Sequence, residues 1–163
     1  MINKNIILRL SNEIGNQMFM YAAAYSIANK MNRTLFIDDE TAFLLKKNIS
    51  SYGLNHFKIT TPIINNSLKF KYMKGYLKRK FIIKTDFMRS KKKFFIENKD
   101  KNKITNFNLN ILSKTFDDTF YLEGHFESEK YFNDIQKDIR NQFTFKEEDY
   151  FKNNFFYREI MKS

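Results

Sequence analysis

Three consecutive residues, Gly15, Asn16 and Gln17, carry groups suited to holding a polar ligand. A glycine lets the backbone approach a ligand closely. Two carboxamides both donate and accept hydrogen bonds. They follow a short apolar run, Ile6-Ile7-Leu8-Arg9-Leu10, and a polar break at Ser11-Asn12. They open a long segment, MFMYAAAYSIANK. With a strand before and a helix after, the three residues stand at a helix N-terminus beyond the carboxyl end of a strand. Unpaired N–H groups and partial positive charge at that place suit phosphate. Glu13 opposes this, because a carboxylate in the same loop repels an anion. A turn glycine with Asn16 as helix cap accounts for the same residues equally well.

The elements that position them follow from the pattern. Residues 6–10 supply β-branched and other apolar residues, and read as a buried strand. Residues 15–31 read as a helix with apolar positions on more than one face, so it is expected to be buried on both sides. The run Ala22-Ala23-Ala24 permits close approach to a sheet. Residues 34–37 form a second strand, ended by Asp38-Asp39. Strand, helix and strand in this compass make a βαβ unit, and hence a parallel sheet. Further along, residues 93–97 are a candidate strand. Asp117-Asp118 is expected to break the chain before a strand over residues 119–123 that ends at Gly124. Residues 128–143 read as one helix, with Tyr131, Phe132, Ile135, Ile139 and Phe143 on one side. There is no internal repeat and no linker rich in proline or serine.

Composition bounds the chemistry. The chain has 163 residues, enough for one domain with a real core. It has no cysteine, which excludes disulfides and thiolate metal sites. Its two histidines, His56 and His125, are too few for a histidine-rich metal cage. No apolar run approaches a membrane span of ~18 residues. Asn3, Lys4 and Asn5 interrupt the start, so no signal peptide is read there, and a cytoplasmic location is the expectation.

The net charge is +11, and its placement is uneven. Residues 65–103 hold 14 basic and 3 acidic side chains, whereas the rest of the chain holds 15 of each. With 23 Lys, 19 Asn, 18 Ile and only 5 Ala, part of this is compositional drift, but drift would spread the lysines more evenly. Within the segment, SLKFKYMKGYLKRKFIIKTDFMRSKKKFF, residues Leu68, Tyr72, Tyr76 and Lys80 fall at helical spacing, with Met73, Leu77 and Phe81 on the next row. The first expectation is a helix that packs this stripe on the domain and shows lysines to water. The second is a helix lying on an anionic membrane surface, the lysine stems buried and their charges wet. Nucleic acid ranks third, since arginine is scarce and no nucleic-acid motif is present.

A resemblance joins the opening stretch to three other segments. IGNQMFMYAAAYSIANK is similar to the N-terminal signature of the bacterial α-1,2-fucosyltransferases (glycosyltransferase family 11), a strand followed by G-G-L-G-N-Q-[ML]-F-Q-Y-A and a helix. YGLNHFKI, residues 52–59, resembles the family's Y-x-L-x-x-F-x-I. FYLEGHFESEKYF, residues 120–132, resembles Y-L-x-G-Y-[WF]-Q-S-E-K-Y-F, and IRNQFTFK, residues 139–146, resembles the I-R-x-x-F-x-F that follows. The order is the family's, and the segments span nearly the whole chain. The departures are specific. Asn12-Glu13-Ile14 stands for Gly-Gly-Leu, Met20 for a frequent glutamine, and His125, Phe126 and Glu127 for Tyr, Trp or Phe, and Gln.

The resemblance implies an α/β, Rossmann-like parallel sheet with flanking helices, the first half of a two-domain GT-B-type glycosyltransferase. The layout it implies is an acceptor-side domain over residues 1–145, including the basic segment 65–103. A helix over residues 146–163 would lead to a C-terminal donor domain. That donor half would carry an H-x-R-R-x-D motif for the β-phosphate of GDP-fucose, and this sequence has no Arg-Arg pair. The implied reaction is inverting transfer of L-fucose from GDP-fucose to the 2-OH of a β-galactoside, without a metal or other cofactor. The chain is expected not to transfer fucose alone, and a separately encoded C-terminal half is an expected partner. Gly15, Asn16 and Gln17 match the donor-facing loop, with Asn16 orienting the diphosphate or fucose and Gln17 in support. Glu123, His125 and Glu127 lie on the acceptor side. Each glutamate reads first as an ordinary solvated carboxylate and second as a candidate base, and His125 reads first as a surface or packed side chain and second as a base or an acceptor contact. Asp38 stands like a ribose-binding acid, but with the nucleotide expected in the other half its role reads as structural. The apolar spacing of Phe151, Phe155, Phe156 and Ile160 reads as an interface. The alternatives are a non-catalytic binder of a glycan or a partner, and a basic module for nucleic acid or anionic lipid at the inner membrane.

Overall fold

The computed structural model describes residues 4–44, 51–97, 107 and 109–146. The expected helix at 146–163 and the 98–103 end of the basic segment therefore lie outside the described residues, apart from Lys146. Four strands form one sheet: β1 (Asn5–Arg9), β2 (Thr34–Asp38), β3 (Lys92–Ile96) and β4 (Phe116–Glu123). All pairings are parallel and the order is β2-β1-β4-β3. Helix α1 (Ile14–Lys30) connects β1 to β2, α2 (Tyr72–Thr85) precedes β3, and α3 (Gln136–Gln142) follows β4. The chain is an α/β fold with an all-parallel sheet and flanking helices.

Side chains alternate across a strand, and the two sets meet different partners. Ile6, Leu8, Leu35, Ile37, Phe95, Phe120 and Leu122 join one core cluster, packed against Met20, Tyr21, Ala23, Ala24, Ile27 and Ala28 of α1. Ile7, Phe94 and Tyr121 face the other way, with Ile64 and with partly buried Phe36, Phe70, Ile82 and Ile83. The alanines let α1 lie close to the sheet, and it buries residues all round its circumference, as its sequence implied.

Three local expectations are corrected. Asp117 and Asp118 do not break the chain but lie inside β4. Their neighbours explain the tolerance: Arg89 donates to Asp117 Oδ2 at 2.6 Å, and Arg33 donates to both main-chain carbonyls at 2.9 Å. The expected helix over residues 128–143 is two 3-10 turns, Glu129–Tyr131 and Asn133–Ile135, followed by the short α3. Phe132 (φ −135°, ψ 16°) and Ile135 (φ −125°, ψ 21°) leave helical geometry. This lets Tyr131 turn into the core, where its hydroxyl donates to buried Glu97 at 3.0 Å. Finally, the stripe of α2 does not pack inwards. α2 holds no buried residue, and Tyr72, Met73, Leu77 and Phe81 are exposed.

Candidate functional site

The carboxyl ends of β1 and β4 lie side by side, and the connections from β1 and β4 leave the sheet there. Ligands of open α/β sheets bind outside the carboxyl ends of the strands. Polar residues gather at this end in two groups, one on each face of the sheet.

The first group is on the α1 side. Helix α1 begins at Ile14, with Glu13 as the extended residue before it and no side-chain cap. Gly15 and Asn16 thus belong to the first helical turn, and the expectation of Gly15 in a turn with Asn16 as the cap is corrected. First-turn N–H groups have no acceptor within their own helix. Gly15 needs no special conformation, and a Cβ there would meet nothing within 4 Å. Its flank is open, and Glu13 beside it is exposed. Gln17, by contrast, is fully buried. Its amide nitrogen donates to the carbonyls of Asn12 and Ser51, both at 2.8 Å, and its oxygen accepts from Gly53 N–H at 2.9 Å. Gln17 therefore clamps the β1–α1 loop to residues 51–53.

Gly124 lies at φ 155°, and a Cβ on it would sit 2.4 Å from Glu97 Cβ. Only glycine fits. Buried Glu97 holds the turn that follows: one oxygen accepts from His125 N–H at 2.9 Å and Phe126 N–H at 2.7 Å, the other from the Tyr131 hydroxyl. His125 is thereby presented to the β1–α1 loop. Its Nδ1 lies 3.3 Å from Asn12 Nδ2 and 3.3 Å from Glu127 Oε1. Unprotonated, Nδ1 accepts from Asn12; protonated, it pairs with Glu127.

The second group faces α2. Glu123 accepts from Arg79 in a two-pronged fork, with Arg79 Nε at 2.8 Å, and Arg9 Nη1 lies 3.7 Å away. Arg9 also donates to the hydroxyl and carbonyl of Thr41 at 3.0 and 3.1 Å. Asp38 takes no part in a ribose-like open position. It is buried and accepts from Glu40 N–H, Thr41 N–H and the Thr41 hydroxyl, a structural role as expected. Burial pushes the Arg9 guanidinium below its ordinary value, Glu123 and Asp38 act to restore it, and Arg79 adds to the depression. A pocket of about 160 Å³ opens here, lined by Arg9, Thr41, Phe70, Tyr72, Tyr76 and Arg79 among others.

The structure therefore brings His125 to Asn12 in the loop that leads into Gly15 and Asn16, sets Glu127 beside His125, and separates Glu123 from them. Glu123 and His125 are two residues apart, but the turn at Gly124 sends them to opposite sides of the sheet end. With both oxygens on guanidinium groups, Glu123 is a poor general base. Sequence reasoning missed Glu97, Arg9 and Arg79. A charged residue inside an otherwise apolar strand marks Arg9; nothing in a basic run distinguishes Arg79 from its neighbours.

No family model matches the chain, and no curated protein and no solved structure matches it.

Proposed function

We propose that this chain is the acceptor-side, Rossmann-like half of a GT-B-type α-1,2-fucosyltransferase, binding a β-galactoside at the edge formed by the β1–α1 loop and residues 124–127. One observation carries the reading. The four segments that resemble the family's motifs are far apart in sequence, yet they are tied together around the first half of α1. Gln17 of the first bonds Gly53 of the second, and Asn12 beside the first contacts His125 of the third. Tyr21 of the first donates to Gln142 of the fourth, and Phe143 packs on both Tyr21 and Phe57.

The chemistry fits these groups. In inverting transfer the fucosyl C1 loses its bond to GDP, whose phosphate keeps the electron pair. C1 then bonds the acceptor 2-oxygen, and a base takes the hydroxyl proton. An imidazole next to a carboxylate can accept that proton, with Glu127 stabilising the resulting charge. The first-turn N–H groups of α1, with the open flank at Gly15, can face the donor diphosphate. A donor-side half would supply the arginine motif. Saturation-transfer NMR of the chain with lactose and with cellobiose tests the acceptor side. Lactose signals should exceed those of cellobiose, and His125→Ala should weaken lactose binding about tenfold, the loss of one or two hydrogen bonds. Equal signals from both sugars, or binding untouched by that substitution, would sink the reading. Label transfer from GDP-fucose to lactose, with a donor-side half supplied, tests the reaction itself.

A further inference from the structure

The solvent face of α2 plays no part in the glycan reading. Met73, Leu77 and Phe81 recur every four residues and form one ridge along the helix. Tyr72, Met73, Leu77, Phe81, Phe87 and Met88 are each between 57 and 80 % exposed. The last two belong to the 3-10 turn Asp86–Met88, which continues α2 directly. At 100° per residue, Lys80 and Lys84 border the ridge on one flank, and Lys74 and Lys78 on the other. All four are exposed, and α2 contains no acidic residue. The carboxylates that meet this region are engaged: buried Asp86 accepts from the Lys93 and Phe94 N–H groups, Glu123 pairs with Arg79, and Glu40 pairs with Lys69 and Lys71.

We propose that this face of α2, with the turn that follows it, docks on an anionic lipid bilayer. Two features on one face select that partner. An apolar ridge left in water gains by sinking to the acyl boundary. Lysines on both flanks lay their stems over the ridge and reach headgroup phosphates. A soluble acidic protein would match the lysines but would need a groove for the ridge. Nucleic acid would match the lysines, but half of the exposed apolar residues on this face, Met73, Leu77 and Met88, offer no ring for a base to stack on. With 14 residues, α2 is too short to cross a bilayer, so the contact lies in the plane of the surface. Tyr72 and Met73 also line the pocket beside Arg9 and Arg79, so docking sets that pocket at the lipid interface. The proposal stands independently of the glycan reading.

Flotation of the full chain with phosphatidylcholine vesicles, with and without phosphatidylglycerol, tests it. The chain should float with the anionic vesicles and stay behind with phosphatidylcholine alone. Leu77→Ser combined with Phe81→Ser should lower partitioning at least about tenfold. Lys74→Gln with Lys78→Gln should lower it about fivefold per lysine. These side chains are exposed, so an unchanged circular dichroism spectrum and urea midpoint should accompany each variant. Absence of flotation, equal flotation with neutral vesicles, or flotation indifferent to the serine pair would overturn the proposal. So would a dimer in analytical ultracentrifugation that the serine pair dissolves while vesicles go unbound. A single-stranded RNA that displaces the chain from vesicles and binds the serine variant equally well would overturn it too.

Discussion

Helices α1 and α2 flank the same sheet and both carry apolar residues at helical spacing, yet α1 buries nine of its 17 residues and α2 buries none of its 14. The difference lies in what each helix meets. Alanines at 22–24 let α1 settle directly on strand side chains. On the opposite face the space is already taken by an aromatic layer. The rings of Phe70, Phe94 and Tyr121 form a triangle, Tyr121 4.9 Å from each phenylalanine and the two phenylalanines 5.8 Å apart. The Phe70 main chain runs so close to α2 that a Cβ on Gly75 would sit 2.5 Å from its carbonyl carbon. α2 therefore rides above the layer and touches it through Ile82 and Ile83. Periodicity told that α2 has an apolar row; it did not tell which way that row would point.

The contrast can be broken at its strongest point on the α1 side. Glu97→Ala removes the acceptor for two N–H groups and one hydroxyl, all buried or partly so. Urea unfolding should show a loss of about 3–5 kcal/mol. Ala23→Leu forces a large side chain between α1 and the sheet and should cost about 3 kcal/mol in the same assay. Gln17→Ala leaves Gly53 N–H and two carbonyls without their clamp, and about 1–3 kcal/mol should be lost.

A gentler comparison uses one tyrosine from each face. Burial pushes the hydroxyls of Tyr21 and Tyr121 up to about 12, above the 10 of the unfolded chain. The folded protein keeps two protons that the unfolded chain releases between pH 10 and 12. Stability should be level below pH 10 as far as these groups go, and fall across that window. Urea midpoints at pH 9, 10 and 11 would register the fall, and Tyr121→Phe should about halve it, leaving the share of Tyr21. The smallest effect is expected on α2: Leu77→Ala should change stability by no more than about 0.5 kcal/mol, against the ~3 kcal/mol of Ala23→Leu. A large loss at Leu77 would mean that α2 is packed after all.

Much of the candidate site was legible because it is local. Gly15, Asn16 and Gln17 were found from a strand, a break and a helix in succession, and Gly124 from the end of an apolar run. Their separate duties were not legible. Gln17 is a buried clamp and Asn16 is not, although both are carboxamides one residue apart, because successive helical positions point 100° apart and only one meets residues 51–53. From the sequence Glu97 is the end of a strand, with nothing in its neighbourhood to say that a turn almost thirty residues later depends on it.

The sequence by itself determined the β1–α1–β2 unit, the parallel sheet and the charge of residues 65–103. Each of these rests on periodicity, punctuation or counting, and those act over short distances along the chain. The tertiary structure decided that Glu123 pairs with Arg79 and Arg9 while His125 meets Asn12. It also decided that buried Glu97 holds the turn between them, and that the row of Met73, Leu77 and Phe81 faces outwards. Those outcomes depend on strand order, which sets distant strand ends side by side, and on the volume of an aromatic layer that no local pattern reveals.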